Sequence, residues 1–561
     1  MKKLLSVLAL VIFATGMIVA QDNQSDVRQT GDGNTADAYQ EGSGNILDYG
    51  VMGDENTFDG DQLGMDNMMV IDQESWFDMP DAYQAYNNLN MVSVYQEGDE
   101  NWAYGWFKGD ENTISFTQMG NGNSIGNEAL GEPYIYEGDY SNITIEQVNG
   151  GNMAEGEIHG TNQDINVYQE SLSPGNYSEI YIMGSLGGGT ASQTVDIDQS
   201  GENESYVAIY GNGNTVKHNQ YGEDGDGINP GMNMADTYIE GDDNMSDIEQ
   251  EGQYNEAYHY MAGSAVYGNV AETEQDGEYN LAVVDQMTNY NTAIQVQDAY
   301  APSDDILDTD ASNEAEDNQS YIVQAGGDYN TAETYQFGDR NVAGIMQEGA
   351  NNTVVVDQGI WDQRPSVGEA NHGYDNVFDA QIAGDDNSLT ALQDGFENVM
   401  EFDLYTTHDG SNSRNIIDAY QLGGANSMKV QVKGDDNTTF DFDQLGHANV
   451  ISGLGDDEFF FYEGDEATDF TIYQFGLGNQ VDGEIWHGKG IDLNINQQGY
   501  YNYAEVDAMD WNNVIDIDQV SPQGIDMADG NKAFIYQRGG GNSAVVNQNG
   551  TNNTANVTQI P

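Results

Sequence analysis

The 561-residue sequence contains no cysteine, eight prolines, and only 13 Lys plus Arg against 96 Asp plus Glu. Each shortage excludes something. Without cysteine there is no disulfide framework, no thiolate metal site and no Cys nucleophile. With a formal charge of −83 there is no cationic footprint for a phosphate backbone, which argues against a general nucleic-acid binder. After residue 20 no apolar run approaches the length of a membrane-spanning helix, and no amphipathic helical pattern of useful length occurs. His159, His218, His259, His372, His408, His447 and His487 are scattered. They form no His-Glu-x-x-His motif, and no Gly-x-Ser-x-Gly is found, so the reading is not an enzyme and no cofactor is expected. The composition is nonetheless 38% hydrophobic and 10% aromatic, too apolar for an acidic disordered tail.

The first residues are read as a targeting segment. Lys2 and Lys3 precede an apolar run from Leu4 to Val19, and Ala20 is followed by Gln21-Asp22-Asn23. This is the pattern of a secretory signal peptide over residues 1–20, leaving 21–561 as one repeat domain. The expected localisation is secreted, extracellular or on the cell surface.

What fills the remainder is repetition. Gln-x-Gly-x-x-Asn occurs from Gln29 to Asn553. Clear copies are Gln40/Gly42/Asn45, Gln62/Gly64/Asn67, Gln96/Gly98/Asn101, Gln118/Gly120/Asn123, Gln336/Gly338/Asn341, Gln444/Gly446/Asn449, Gln537/Gly539/Asn542 and Gln548/Gly550/Asn553. A second block reads Gly-Asp-Asp/Glu-Asn, as at Gly241–Asn244, Gly384–Asn387 and Gly434–Asn437. Gly42, Gly53 and Gly64 are 11 residues apart, as are Gly98, Gly109 and Gly120. Between the turns, residues alternate in character: Ile114-Ser-Phe116-Thr-Gln118, Val195-Asp-Ile197-Asp-Gln199 and Ile515-Asp-Ile517-Asp-Gln519. Period-two alternation of β-branched and aromatic residues predicts half-buried strands, and Gly and Asn supply the positive φ of tight turns.

Two 11-residue blocks make a strand-turn-strand-turn coil of 22 residues. One coil cannot bury its own apolar face, but stacked coils can. The predicted fold is therefore all-β: a β-solenoid of two parallel sheets facing each other, with roughly 24 coils at most. Loop insertions are expected near 74–91, 171–177, 223–233, 298–319, 360–374, 405–415, 453–469 and 521–532. Inward-facing Gln and Asn would need partners, and a ladder of like amides on successive coils supplies them. The acidic turns offer hard oxygen ligands, making Asp242, Asp243, Asp385, Asp386, Asp435 and Asp436 weak Ca²⁺ candidates, although the nonapeptide of Ca²⁺-binding β-rolls is absent. A solvated turn is the plainer reading of these residues.

The motif Gln-x-Gly-x-x-Asn-x-Ala, as in Gln96-Glu-Gly98-Asp-Glu-Asn101-Trp-Ala103 and Gln336-Phe-Gly338-Asp-Arg-Asn341-Val-Ala343, resembles the curlin repeat of bacterial curli fibres. That resemblance implies a secreted subunit that polymerises into extracellular amyloid fibres serving adhesion and biofilm matrix. Its implied partners are copies of itself, other curli-like subunits or a nucleator, and an outer-membrane secretion machinery. This chain is several times longer than an ordinary curlin subunit and far more acidic, so a non-polymerising adhesin rod is the alternative expectation.

Overall fold

A computed structural model of the chain describes residues 23–29, 34–52, 57–74, 91–107, 113–126, 142–158, 163–171, 175–182, 193–222, 232–262, 266–298, 317–359, 375–405, 415–432, 438–441, 443–452, 468–486, 492–509, 514–521, 530–538 and 541–559. The expected signal peptide lies outside these residues, and each expected insertion overlaps a stretch outside them. The described residues hold strands and turns and no helix. The chain divides into two units, Met1–Asp243 and Asn244–Pro561.

In the first unit the strands fall alternately on two parallel sheets. One, here the glutamine sheet, runs through Thr35–Ser43, Thr57–Met65, Met91–Glu97, Thr113–Met119, Asn142–Asn149, Gln163–Ser171, Gln193–Ser200 and Thr215–Tyr221. The companion sheet takes the intervening strands, from Gln24–Val27 to Met232–Ile239. Register is set by like residues: Gln40 pairs Gln62 and Gly42 pairs Gly64, while Gln62 pairs Gln96 across a longer connection. An insertion therefore lengthens a loop without shifting the ladder, because each strand recovers its phase from the apolar alternation.

The second unit repeats the plan. Its glutamine sheet starts at Met245–Gln253 and Val270–Glu278 and reaches Val514–Val520 and Ala544–Asn549. Its companion sheet narrows at Val450, which bridges Ser427 on one side and Gln480 on the other. The described glutamine-sheet rungs number eight in the first unit and twelve in the second, the latter counting Thr438–Asp441 and Gln444–His447 as one rung. This is below the 24 that uninterrupted 22-residue coils would give, because the connections absorb chain.

Alternation puts one side of every strand in a thin apolar seam. Val195, Ile197, Val216 and Ile209 are fully buried in the first unit, and Ala293, Val354, Phe378 and Leu389 in the second. Each buried Val, Leu, Ile or Phe side chain contributes about 1.5–3 kcal/mol relative to exposure. Small Ala residues recur fully buried along the seam (Ala257, Ala271, Ala282, Ala332, Ala343).

Candidate functional site: stacked amide ladders and acidic turns

The inward Gln side chains form a continuous row. Gln40 Nε2 donates to Gln62 Oε1 at 2.7 Å, Gln62 to Gln96 at 2.8 Å, Gln96 to Gln118 at 2.7 Å and Gln118 to Gln147 at 2.9 Å. The row continues through Gln169 and Gln199 to Gln220. The same nitrogen also reaches across the seam: Gln62 donates to Ile46 O at 3.0 Å, Gln96 to Met68 O and Gln118 to Trp102 O. Each amide thus ties its coil to the next and one sheet to the other, and no buried N–H of these three is wasted.

In the second unit Gln250, Gln275, Gln297, Gln336 and Gln358 donate in the same sense, each to the next, and the run ends at Gln393, which accepts from Gln358. Further on the sense reverses. Gln474 donates back to Gln444 at 3.1 Å, and Gln497 back to Gln474 at 2.9 Å. The two rows meet between Gln393 and Gln421, each of which accepts from its outer neighbour. Sequence reasoning placed the Gln-x-Gly hexads in one series. The structure sorts them: Gln347 and Gln537 lie on the companion sheet. There Gln286, Gln324 and Gln347 make their own short row, while Gln537 is buried beside Gln559 with neither amide atom bonded. Gln147, Gln169, Gln199 and Gln220 belong to the main row although none opens a full hexad: no Gly stands two residues after Gln147 or Gln169, and no Asn five residues after Gln199 or Gln220. Their signal is the strand alternation that ends on Gln.

Asn provides a second ladder. The backbone N–H of Asn67 donates to Asn45 Oδ1 at 3.1 Å, that of Asn101 to Asn67 at 2.9 Å and that of Asn123 to Asn101 at 3.1 Å. Asn341, Asn449 and Asn553 sit in equivalent positions, their backbone N–H groups donating to Oδ1 of Asn318, Asn426 and Asn531. Asn101 Nδ2 holds its own turn at Glu97 O and the next turn at Gly120 O. The side chain therefore closes the turn and stacks it in one stroke, which is why Asn recurs where Gln would be too long.

The hexad glycines are required by close approach. Gly42, Gly64, Gly98 and Gly120 have φ between +115° and +126°. A Cβ on Gly64 would lie 1.8 Å from Gly98 O. Gly338, Gly446 and Gly550 share the positive φ, and Gly539 lies outside the described residues. Asn542 is described but stands in no strand.

The acidic turns use their carboxylates internally. Asp242 Oδ1 accepts the Asn212 N–H at 2.7 Å and Asp385 Oδ1 accepts that of Ala350 at 2.7 Å. Asp99 and Asp328 do the same for Met65 and Asn289. Asp243 and Asp386 occupy the left-handed turn position, at φ 58° and 59°. Asp435 and Asp436 lie outside the described residues. Among the described residues no group of three or more His, Asp or Glu is placed to hold a metal ion. One further turn pair is ionic: Arg340 holds Asp375 one coil on through two bonds of 2.7 and 3.1 Å, which keeps the Asp375 carboxyl below the usual range.

Outward positions carry two features. The triplet Tyr-Gln-Glu recurs, and its flanking residues share the outer face: Tyr39 donates to Glu41 at 2.8 Å, Tyr95 to Glu97 at 2.7 Å and Tyr168 to Glu170 at 2.9 Å. Burial and Glu170 push the Tyr168 hydroxyl up to about 12. Elsewhere acids face acids along the stack. Burial with Asp59 and Asp37 raises Asp61, burial with Asp196 and Glu170 raises Asp198, and burial with Asp394 pushes Asp357 up to about 6. Like charges at strand spacing cannot all ionise without cost.

The seam also holds polar groups that the motif search did not find. In the second unit Ser246 Oγ lies 2.8 Å from His259 Nδ1, and His259 Nε2 lies 2.7 Å from Thr273 Oγ1. Thr273 donates to Gln295 Oε1, Gln295 Nε2 donates to Ser320 Oγ at 2.8 Å, and Ser320 meets Thr334 at 2.7 Å. Because Gln295 Oε1 can only accept, the Thr273 proton points to it and His259 must carry its proton on Nε2. The relay is then one-directional and every member is buried. In the first unit His218 sits between Ser205 and Thr237, and burial pushes its pKa down to about 3.

The curlin associated repeat matches residues 88–120, 327–359 and 528–560. Each match covers three consecutive 11-residue blocks, and the first includes the strands Met91–Glu97, Trp102–Phe107 and Thr113–Met119. The chain carries three curlin associated repeats. Comparison with curated proteins finds no match. The ladder Gln and Asn of the curlin repeats, Gln96 and Asn101 or Gln336 and Asn341, are the groups whose bonds run between coils.

Proposed function

We propose that this protein is a structural subunit of curli-like extracellular amyloid fibres, acting in adhesion and biofilm matrix through coil-on-coil addition of one chain to another. One observation carries the reading: pairs of like amides join coil to coil at most steps along each unit. The pair Gln40/Gln62 repeats as Gln96/Gln118 and Gln336/Gln358, with Asn45/Asn67 and Asn101/Asn123 beside it. A surface that stacks on its own copy within a chain is complementary to the same surface on another chain, as in cross-β assembly. Its partners are further copies, related subunits or a nucleator, with secretion machinery of the outer membrane for export from the signal peptide onward. No catalytic role is assigned.

The net charge of −83 opposes the same step, and favours a second reading, a surface adhesin that stays unpolymerised. Electron microscopy and thioflavin-T kinetics on purified protein decide between them. Fibres whose lag shortens in high salt, in Ca²⁺ or at mildly acidic pH support the fibre subunit, since screening or protonation relieves repulsion within a Debye length of about 8 Å. Particles that remain monomeric under all three conditions overturn it.

A further inference from the structure

Four exposed tyrosines of the second unit are stacked in pairs on its turns. Tyr254 and Tyr279 have ring centroids 5.0 Å apart and planes inclined by 12°. Tyr290 and Tyr329 are 5.0 Å apart and inclined by 5°. All four adopt left-handed backbone, φ 54° to 63°, and are 40% to 56% exposed. The pairing is enforced by the turns: Tyr279 N–H donates to Gln253 O at 3.0 Å, and Tyr329 N–H to Asn289 O at 3.1 Å. The backbone places each ring over its partner one coil away, and Gly268, whose Cβ would lie 2.8 Å from the Tyr290 ring, leaves the other face of that ring room.

We propose that Tyr254/Tyr279 and Tyr290/Tyr329 are oxidative cross-linking sites, at which a peroxidase-type oxidant joins successive coils through dityrosine. Hydrogen peroxide supplies the oxidising equivalents. Each phenol loses one electron and one proton, the two phenoxyl radicals form one carbon–carbon bond between ortho positions, and each ring recovers its aromaticity by moving the ortho hydrogen to oxygen. The balance is two tyrosines and one peroxide giving one dityrosine and two waters. Two features favour these positions over other tyrosines. The rings are open to a bulky oxidant, and the partner radical is already held at stacking distance, so coupling is intramolecular. In a chain without cysteine, such a bond would tie coils as a disulfide does elsewhere. The proposal is independent of whether chains polymerise.

The test treats the full-length protein with a peroxidase and limiting hydrogen peroxide, folded and in urea, followed by proteolysis and mass spectrometry. Expected are linked peptides joining 254 to 279 and 290 to 329, each short of two hydrogens, with yields independent of protein concentration. They should be enriched about tenfold over the urea sample. Tyr279→Phe should abolish the first link and leave the second, and Tyr329→Phe the reverse, with the strand circular dichroism of both variants unchanged. Links spread without preference over Tyr39, Tyr260, Tyr267 and Tyr321, or equal yields folded and unfolded, would overturn the proposal. So would links found only between chains.

Discussion

His259 donates its Nε2 proton to Thr273 Oγ1 across 2.7 Å in the dry seam between the two sheets of the second unit. Most coils fill this seam with Ile, Val or Ala, which pack against any neighbouring coil. A directional relay from Ser246 to Thr334 does not, since each donor has one acceptor on one particular coil. A slip by one coil would bring these groups against apolar side chains, at about 1–3 kcal/mol for each polar group left unsatisfied. The relay therefore favours the native register among near-identical alternatives. His259→Ala should destabilise the coils around it by on the order of 2–4 kcal/mol. Hydrogen exchange of the Met245–Gln253 and Val270–Glu278 amides reads this directly. Unchanged protection there would show that the relay adds nothing.

The two roles of a ladder Asn can be separated. Asn101 accepts the Asn123 N–H through Oδ1 and donates through Nδ2 to Glu97 O and Gly120 O. Asn101→Asp keeps the acceptor and loses both donors; Asn101→Ala loses these three bonds and the one from Asn123 Nδ2 to the same oxygen. Both should lower stability, Ala by roughly 2–4 kcal/mol, with Asp further sensitive to pH because it adds a buried carboxylate. Urea titrations of the two variants at neutral and acidic pH check the order. An Asp variant with no added pH dependence contradicts this geometry.

Two glycines with positive φ make a controlled pair. Gly64, at φ +126°, has the Gly98 carbonyl where a Cβ would go. Gly122, at φ +73°, has nothing within 4 Å of a Cβ. Gly122→Ala should cost only the left-handed backbone, about 1–2 kcal/mol. Gly64→Ala must push two coils apart and should abolish protection across Thr57–Met65 and Met91–Glu97. Similar thermal midpoints for the two variants would refute the close-approach argument.

Acid should first strengthen and then weaken the fold. A carboxyl raised in the folded state binds its proton more tightly there, so its stabilising contribution is full below the unfolded pKa and is lost as pH rises through the folded one. Asp357, at about 6, sets the upper edge of that window, and Asp61, Asp198, Glu274 and Asp443 act in the same direction. His218 works oppositely: its folded pKa of about 3 lies below the unfolded value, so its contribution is present above about 6.5 and is lost as pH falls toward 3. The urea midpoint should rise from pH 7.5 to pH 5 and fall again below pH 4. Asp357→Asn should reduce the rise, and His218→Leu the fall. A midpoint that declines steadily from neutral pH would contradict the first half.

Much of this architecture is a one-dimensional property of the chain. The 11-residue step, the alternation in Val195-Asp-Ile197-Asp-Gln199 and the Gly/Asn turns together determine a parallel two-sheet solenoid, because only stacking buries each strand's apolar side. The sequence also determined the extreme negative charge and the residue types of the repeat. Tertiary structure decided what no local pattern contains: that Gln347 and Gln336, 11 residues apart, serve different sheets; that Asp242 and Asp385 bond the turn of another coil; that His259, Thr273 and Gln295 meet. Those outcomes depend on which coil lies next to which across connections of unequal length, and on which side chain each seam position finds opposite it. Periodicity specifies that every strand has a neighbour. Packing specifies the atoms that neighbour presents.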